Sequence, residues 1–161
     1  MRNKILLMAI LLVVGGAIFF LPSDEKKIRA SLASLAEYCS TDKEEPVFDT
    51  LQKAASAAKL CSDPCTVKFE TFKIDREFSQ KELTDRFLMM KKRLPNTSFS
   101  FHDTVIDIVD GNRAEVITTL RINGKIVDQQ FTDAYELDIT VDKKDGDWRF
   151  SSFTVVEFMK K

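Results

Sequence analysis

Asp133 and Tyr135 are the residues whose types and spacing best suit chemistry. They sit two apart in the alternating set Val127, Gln129, Phe131, Asp133, Tyr135, Leu137, Ile139 and Val141, where a carboxylate and a phenol interrupt an otherwise apolar face. If that face lines a cavity, low dielectric disfavours a charged carboxylate and the phenol can donate a hydrogen bond to a ligand oxygen. Proton abstraction beside a carbonyl requires such a pair. Phe131, Asp133 and Tyr135 are therefore the expected ligand-binding set. The plainer alternative is a satisfied buried acid, or a bulge near Gln130 that turns Asp133 to solvent. The sequence assigns no catalytic residue.

Other chemistry finds little support. His102 is the single histidine and is followed by Asp103, in a run where Phe99, Phe101, Asp103 and Val105 are expected on one face and His102 on the other. Adjacent strand residues point oppositely, so the two cannot act as a dyad. Asp103, Asp107 and Asp110 lie along a strand rather than in a glycine-turned loop and have no second histidine beside them, so neither a metal nor a cofactor is expected. There is no glycine-rich phosphate loop, nucleophile elbow or paired C-x-x-C motif. Cys61-Ser62-Asp63-Pro64-Cys65 could close as a disulfide in an oxidising compartment, with Cys39 as a buried spare, or remain as two buried thiols. Asn96-Thr97-Ser98 matches a glycosylation acceptor, a triplet that also arises by chance.

The elements that must position these residues follow from the pattern. From Thr97 to Met159 apolar and polar residues alternate through four runs, near 98–109, 113–123, 125–142 and 148–159. Asp110-Gly111-Asn112, Asn123-Gly124 and Asp145-Gly146 are expected as the turns between them, being residues that take positive φ cheaply. Such runs exceed the usual strand of about 5–6 residues, which predicts bulges and a curved sheet with a concave face. Upstream, Ser23 or Asp24 caps a helix to about Ser40 that puts Ile28, Leu32, Leu35, Ala36 and Cys39 on one face. Pro46 opens a second helix, Val47 to Leu60, whose Ala54, Ala55, Ala57 and Ala58 permit close packing. Cys65 to Phe72 alternates as a short strand. Ser79-Gln80-Lys81-Glu82 has the form of a capping box, so a third helix runs to Leu94 and stops at Pro95. Phe78, Phe87, Leu88 and Leu94 are expected in the core, and Met90 to a lesser degree. Lys91-Lys92-Arg93 falls in the last turn of that helix, where it complements the macrodipole.

Two capped helices, a short strand, a third helix and a four-stranded antiparallel meander together resemble the nuclear transport factor 2-like, or cystatin-like, cone superfamily. The closing segment, Tyr135-Glu136-Leu137-Asp138-Ile139 and then Asp145-Gly146-Asp147-Trp148-Arg149-Phe150-Ser151-Ser152-Phe153, is similar to that superfamily's final hairpin. There a polar turn leads into a tryptophan and an alternating last strand. The resemblance covers roughly Asp24 to Met159 and implies an α+β fold with helices packed on a curved antiparallel β-sheet. It implies no single activity, because the superfamily includes ketosteroid isomerase-like and dehydratase enzymes, polyketide cyclases, transport and secretion-system proteins and binding modules.

Arg2 and Lys4 precede Ile5 to Leu21, seventeen residues without a charge, closed by Pro22 and a polar stretch. At about 1.5 Å per residue this is near the lower limit for a bilayer span. The expectation is an uncut N-terminal signal anchor or transmembrane helix over residues 1–22 and one domain over 23–161. A cleaved signal peptide is the alternative, with Val14-Gly15-Gly16-Ala17 as the processing site. The short basic amino terminus places the domain outside the inner (cytoplasmic) membrane, as a single-pass periplasmic or extracellular unit. A chain of 161 residues, 44% apolar, suits one core. Residues 97–147 hold eleven acidic and five basic side chains, the wrong sign for nucleic acid as a partner. The expected function is a membrane-tethered binding or assembly module for a small molecule or protein, with a homodimer through the sheet as one arrangement. The alternative is an isomerase- or dehydratase-like enzyme built on the acid–phenol pair.

Overall fold

The computed structural model describes residues 23–42, 44–69, 71–126 and 129–158. Ser23 opens the first helix by accepting a hydrogen bond from the Lys26 amide, and α1 (Asp24–Cys39) buries Ile28, Leu32, Leu35 and Cys39. After Pro46, α2 (Val47–Lys59) buries Ala54, Ala57 and Ala58 completely, so small side chains bring its backbone close to its neighbours. The capping box forms as its spacing predicts. The Ser79 hydroxyl takes the Glu82 amide, the Glu82 carboxylate takes the Ser79 amide at 2.8 Å, and α3 (Gln80–Arg93) follows.

The helices cover one face of a six-stranded sheet, β1 (Cys61–Phe69), β2 (Ile74–Phe78), β3 (Thr97–Asp110), β4 (Arg113–Ile126), β5 (Gln129–Lys144) and β6 (Asp147–Phe158), ordered β2-β1-β6-β5-β4-β3. β3 to β6 form the expected antiparallel meander, and β1 adds to β6 in parallel. The sheet is thus mixed rather than purely antiparallel. Asp145 and Gly146, at φ 54° and 88°, make the β5–β6 turn that their types predict.

Four expectations need correction. β2 was not foreseen, because Ile74-Asp75-Arg76-Glu77-Phe78 is an edge strand with four exposed residues and no alternation of polarity. The strand read as Cys65 to Phe72 starts earlier, at Cys61, and ends at Phe69, leaving Phe72 in a turn and 70% exposed. Asn123-Gly124 is no turn. β4 continues through it to Ile126, which pairs with Gln129, and the Phe131 ring lies over the Gly124 Cα where a Cβ would collide with it. Lastly, β3 bulges between His102 and Val105, with Asp103 at φ 51°. Phe99 and Phe101 face the helices, but beyond the bulge Thr104 and Ile106 take the inward places and Val105 turns outward, 62% exposed.

The Lys91-Lys92-Arg93 run divides by burial. Lys91 is 2% exposed, and its Nζ donates to the Tyr38 and Ser40 carbonyls at the end of α1 and pairs with Glu45 at 3.2 Å. It therefore serves the C-terminus of α1 and not that of its own helix. Lys53 pairs with the same carboxylate. Burial alone would raise the Glu45 carboxyl, but the two ammonium groups reverse this and hold it below its usual value. Phe78, Phe87 and Met90 pack against the core, whereas Leu88 and Leu94 are half-buried outside it.

The expected anchor, residues 1–22, lies outside the described residues. Among those described, no helix is long and apolar enough to cross a membrane.

Candidate ligand-binding cavity

A cavity of about 430 Å³ lies between the helices and the inner face of the sheet. The stripe Leu83, Arg86, Phe87 and Met90 on α3 forms one wall, at the spacing that keeps residues on one helical face. Leu35, Ala36 and Cys39 of α1 form the second, and Phe99 and Phe101 of β3 close the side. Leu120, Leu137, Phe153 and Val155 make the floor, and Cys61, Val67, Phe69 and Phe78 complete it at the β1–β2 end. Among the described residues, Arg86 is the one charged side chain of the wall, and no wall side chain contains an oxygen.

That composition limits what the cavity can do. Among the described residues two thiols are its only ionisable groups besides Arg86, and both are held protonated: burial pushes Cys39 up to about 12, and the neighbouring Cys65 thiol together with burial pushes Cys61 up. Neither supplies a base near neutral pH. Of the two states the sequence left open for Cys61 and Cys65, the structure has free, buried thiols, and Cys39 is a third.

No family model matches the chain, and no curated protein matches it in sequence. Solved structures match well in shape. An NTF2-like protein with a cystatin-like fold from Novosphingobium aromaticivorans aligns with a TM-score of 0.67 at 11% identity, over 88% of each chain. A protein of unknown function with a cystatin-like fold from Nostoc punctiforme aligns at 0.64 and 11% identity, over 86% of this chain and 92% of that one. The hexachlorocyclohexane dehydrochlorinase LinA-type3 from Novosphingobium barchaimii aligns at 0.65 and 13% identity, over 85% and 89%. The chain has the nuclear transport factor 2-like, cystatin-like cone fold.

Within this cone the predicted residues divide. β5 pairs with β4 without a register shift from Asp142 to Gln129, so Phe131, Asp133, Tyr135 and Leu137 do share the inner face. Leu137 is cavity wall, whereas Asp133 and Tyr135 are not among the wall residues. They continue the face past it, half-buried, with Tyr135 opposite the wall residue Leu120. Burial, and then the neighbouring Asp133, raise the Tyr135 phenol above its ordinary value. Phe131 lies farther along, in a separate depression of about 310 Å³ with Asn96, Asn123 and Gln130. His102 is on the outer face, with its Nε2 2.9 Å from the Ser100 hydroxyl. Sequence reasoning missed Leu83, Arg86 and Leu120 as wall residues. The spacing of Leu83, Phe87 and Met90 was the available signal, and it indicates only that the stripe is inward, not that the space before it is unfilled.

Proposed function

We propose that the cone is a non-enzymatic binding module that takes an apolar small molecule into the helix–sheet cavity. One observation carries this reading: a space of about 430 Å³, within the usual range for ligand sites, whose walls contain no oxygen-bearing side chain among the described residues. Such walls reward removal of apolar surface from water, at about 25 cal/mol per Å², and offer nothing to a polar substrate. The uncharged run from Ile5 to Leu21 supports a tether that holds the domain on the outer face of the cytoplasmic membrane, where apolar ligands concentrate. A neutral dye such as 1-aminoanthracene tests the reading on the full chain. Saturable binding that Leu120→Trp abolishes, with the circular dichroism spectrum kept, is the expected result; binding that the filled variant leaves unchanged overturns it.

The second reading is an isomerase- or dehydratase-like enzyme. Its support is that Asp133 and Tyr135 lie on the inner face and that a structural neighbour is a dehydrochlorinase. Asp133→Asn and Tyr135→Phe would then each abolish turnover without altering dye binding. Outward-facing Val105, Val109 and Ile117 suit self-association through the sheet, which light scattering of the full chain tests.

A further inference from the structure

Arg86 is both a wall residue of the cavity and exposed to solvent, so the cavity meets water beside it. Its guanidinium lies 5.9 Å from the centre of the Phe78 ring, and Phe78 is itself wall. A second guanidinium, that of Arg76, lies 6.0 Å from the same ring. Arg76 and Phe78 share one face of β2, with Asp75 and Glu77 on the other. The lip of an apolar space therefore carries two guanidinium groups gathered on one aromatic ring.

The nearby acids leave the donors of this pair unclaimed. Among the described residues neither arginine has a carboxylate within ion-pair distance. Asp75 is engaged by Lys68 at 3.3 Å. The charge of Glu82 reaches both arginines, and its carboxylate is bound at 2.8 Å by both the amide and the hydroxyl of Ser79. Both guanidinium groups are exposed, so their donors meet water at the mouth of an apolar cavity, where a ligand head group would lie.

We propose that the cavity takes a single-chain aliphatic carboxylate, tail inward, with its head group between Arg76 and Arg86. Guanidinium forks bind carboxylates with charge-assisted hydrogen bonds that a neutral head group cannot match. Size narrows the class further. At about 30 Å³ for each water-sized unit, 430 Å³ holds roughly a dozen non-hydrogen atoms, which suits one medium-length acyl chain. The assignment rests on the ligand-binding reading above and adds the chemistry of the head group to it.

The test uses the full chain in phospholipid vesicles and three photoreactive probes with a diazirine at the tail end: dodecanoate, dodecanol and dodecyltrimethylammonium. Adducts are mapped to peptides, so labelling of the cavity wall is separated from labelling of the segment before Pro22. Dodecanoate is expected to label the α1 and α3 walls most strongly. Arg76→Gln/Arg86→Gln is expected to lower that labelling at least about tenfold, since one lost hydrogen bond to a charged group already costs that much. Dodecanol should label both proteins alike, which also shows that the variant is folded. If the double variant leaves dodecanoate labelling unchanged, or the cationic probe labels the wall as well as the carboxylate does, the head-group assignment is overturned while the cavity reading stands. If no probe labels the wall, both fall.

Discussion

The two ends of the cone's inner face are built on the same four strands and behave oppositely. At one end Ala114, Val141, Phe150 and Cys61 pair in a row across β4, β5, β6 and β1, each fully buried, and of the four Cys61 alone also touches the cavity. At the other, Leu120, Leu137, Phe153 and Val67 look onto an unfilled space. Hydrophobicity does not distinguish the two sets. Backbone irregularity does: β1 shifts register after Cys61, the β5–β6 pairing shifts at Thr140/Val141, and β3 bulges at Asp103. Each bulge adds local twist and bends its strand, so the sheet curls between the rows. The helices touch it closely at one end and stand off at the other.

The largest effect that would sharpen this contrast is truncation at each end. Phe150→Ala should cost about 4 kcal/mol, because a solid core cannot close over the gap. Phe101→Ala, at the edge of existing space, should cost only roughly 1–2 kcal/mol. Urea denaturation followed by circular dichroism reads both, and equal costs would break the comparison.

Lys91→Met should come next, at about 3 kcal/mol, since it strips the α1 carbonyls and one partner of Glu45 from a buried ion cluster. The same cluster gives a pH dependence. Glu45 is depressed in the folded state, so its contribution is present above its ordinary value of 4.5 and is lost as pH falls through the lower folded value. The denaturation midpoint should therefore drop below about pH 4.5, and drop less in Lys91→Met.

Enlargement gives a smaller effect and the opposite pattern. Val141→Phe should overpack the closed end at a cost of about 1–3 kcal/mol. Leu120→Trp should change stability by less than about 1.5 kcal/mol, because its ring enters the cavity. Ser79→Ala, distant from both rows, should cost only about 1 kcal/mol through its lost cap.

Much of this frame is legible in the residues. Caps at Ser23 and Ser79, the Asp145-Gly146 turn and the alternation after Thr97 are local signals, and each sets the element it predicts. What escapes is non-local. Gly124 reads as a turn because its other use, as a seat for the Phe131 ring, depends on a residue across the strand pair. Asp103 carries no mark of a bulge, yet that bulge decides which of Thr104 and Val105 faces inward. Asp133 and Tyr135 lie on the inner face, but how far the cavity extends along that face depends on how α1 and α3 sit above it. Periodicity reports direction, whereas unfilled volume is a property of the assembled core.

The account's central claim is that the open end of the cone receives an apolar guest and the closed end does not. Methyl NMR of the full chain, titrated with dodecanol, tests this most directly. The account predicts saturating shifts at Leu35, Leu83, Met90, Leu120 and Leu137, with Val116 and Val141 still. Shifts centred on Val141, or none at the five wall methyl groups, would contradict it.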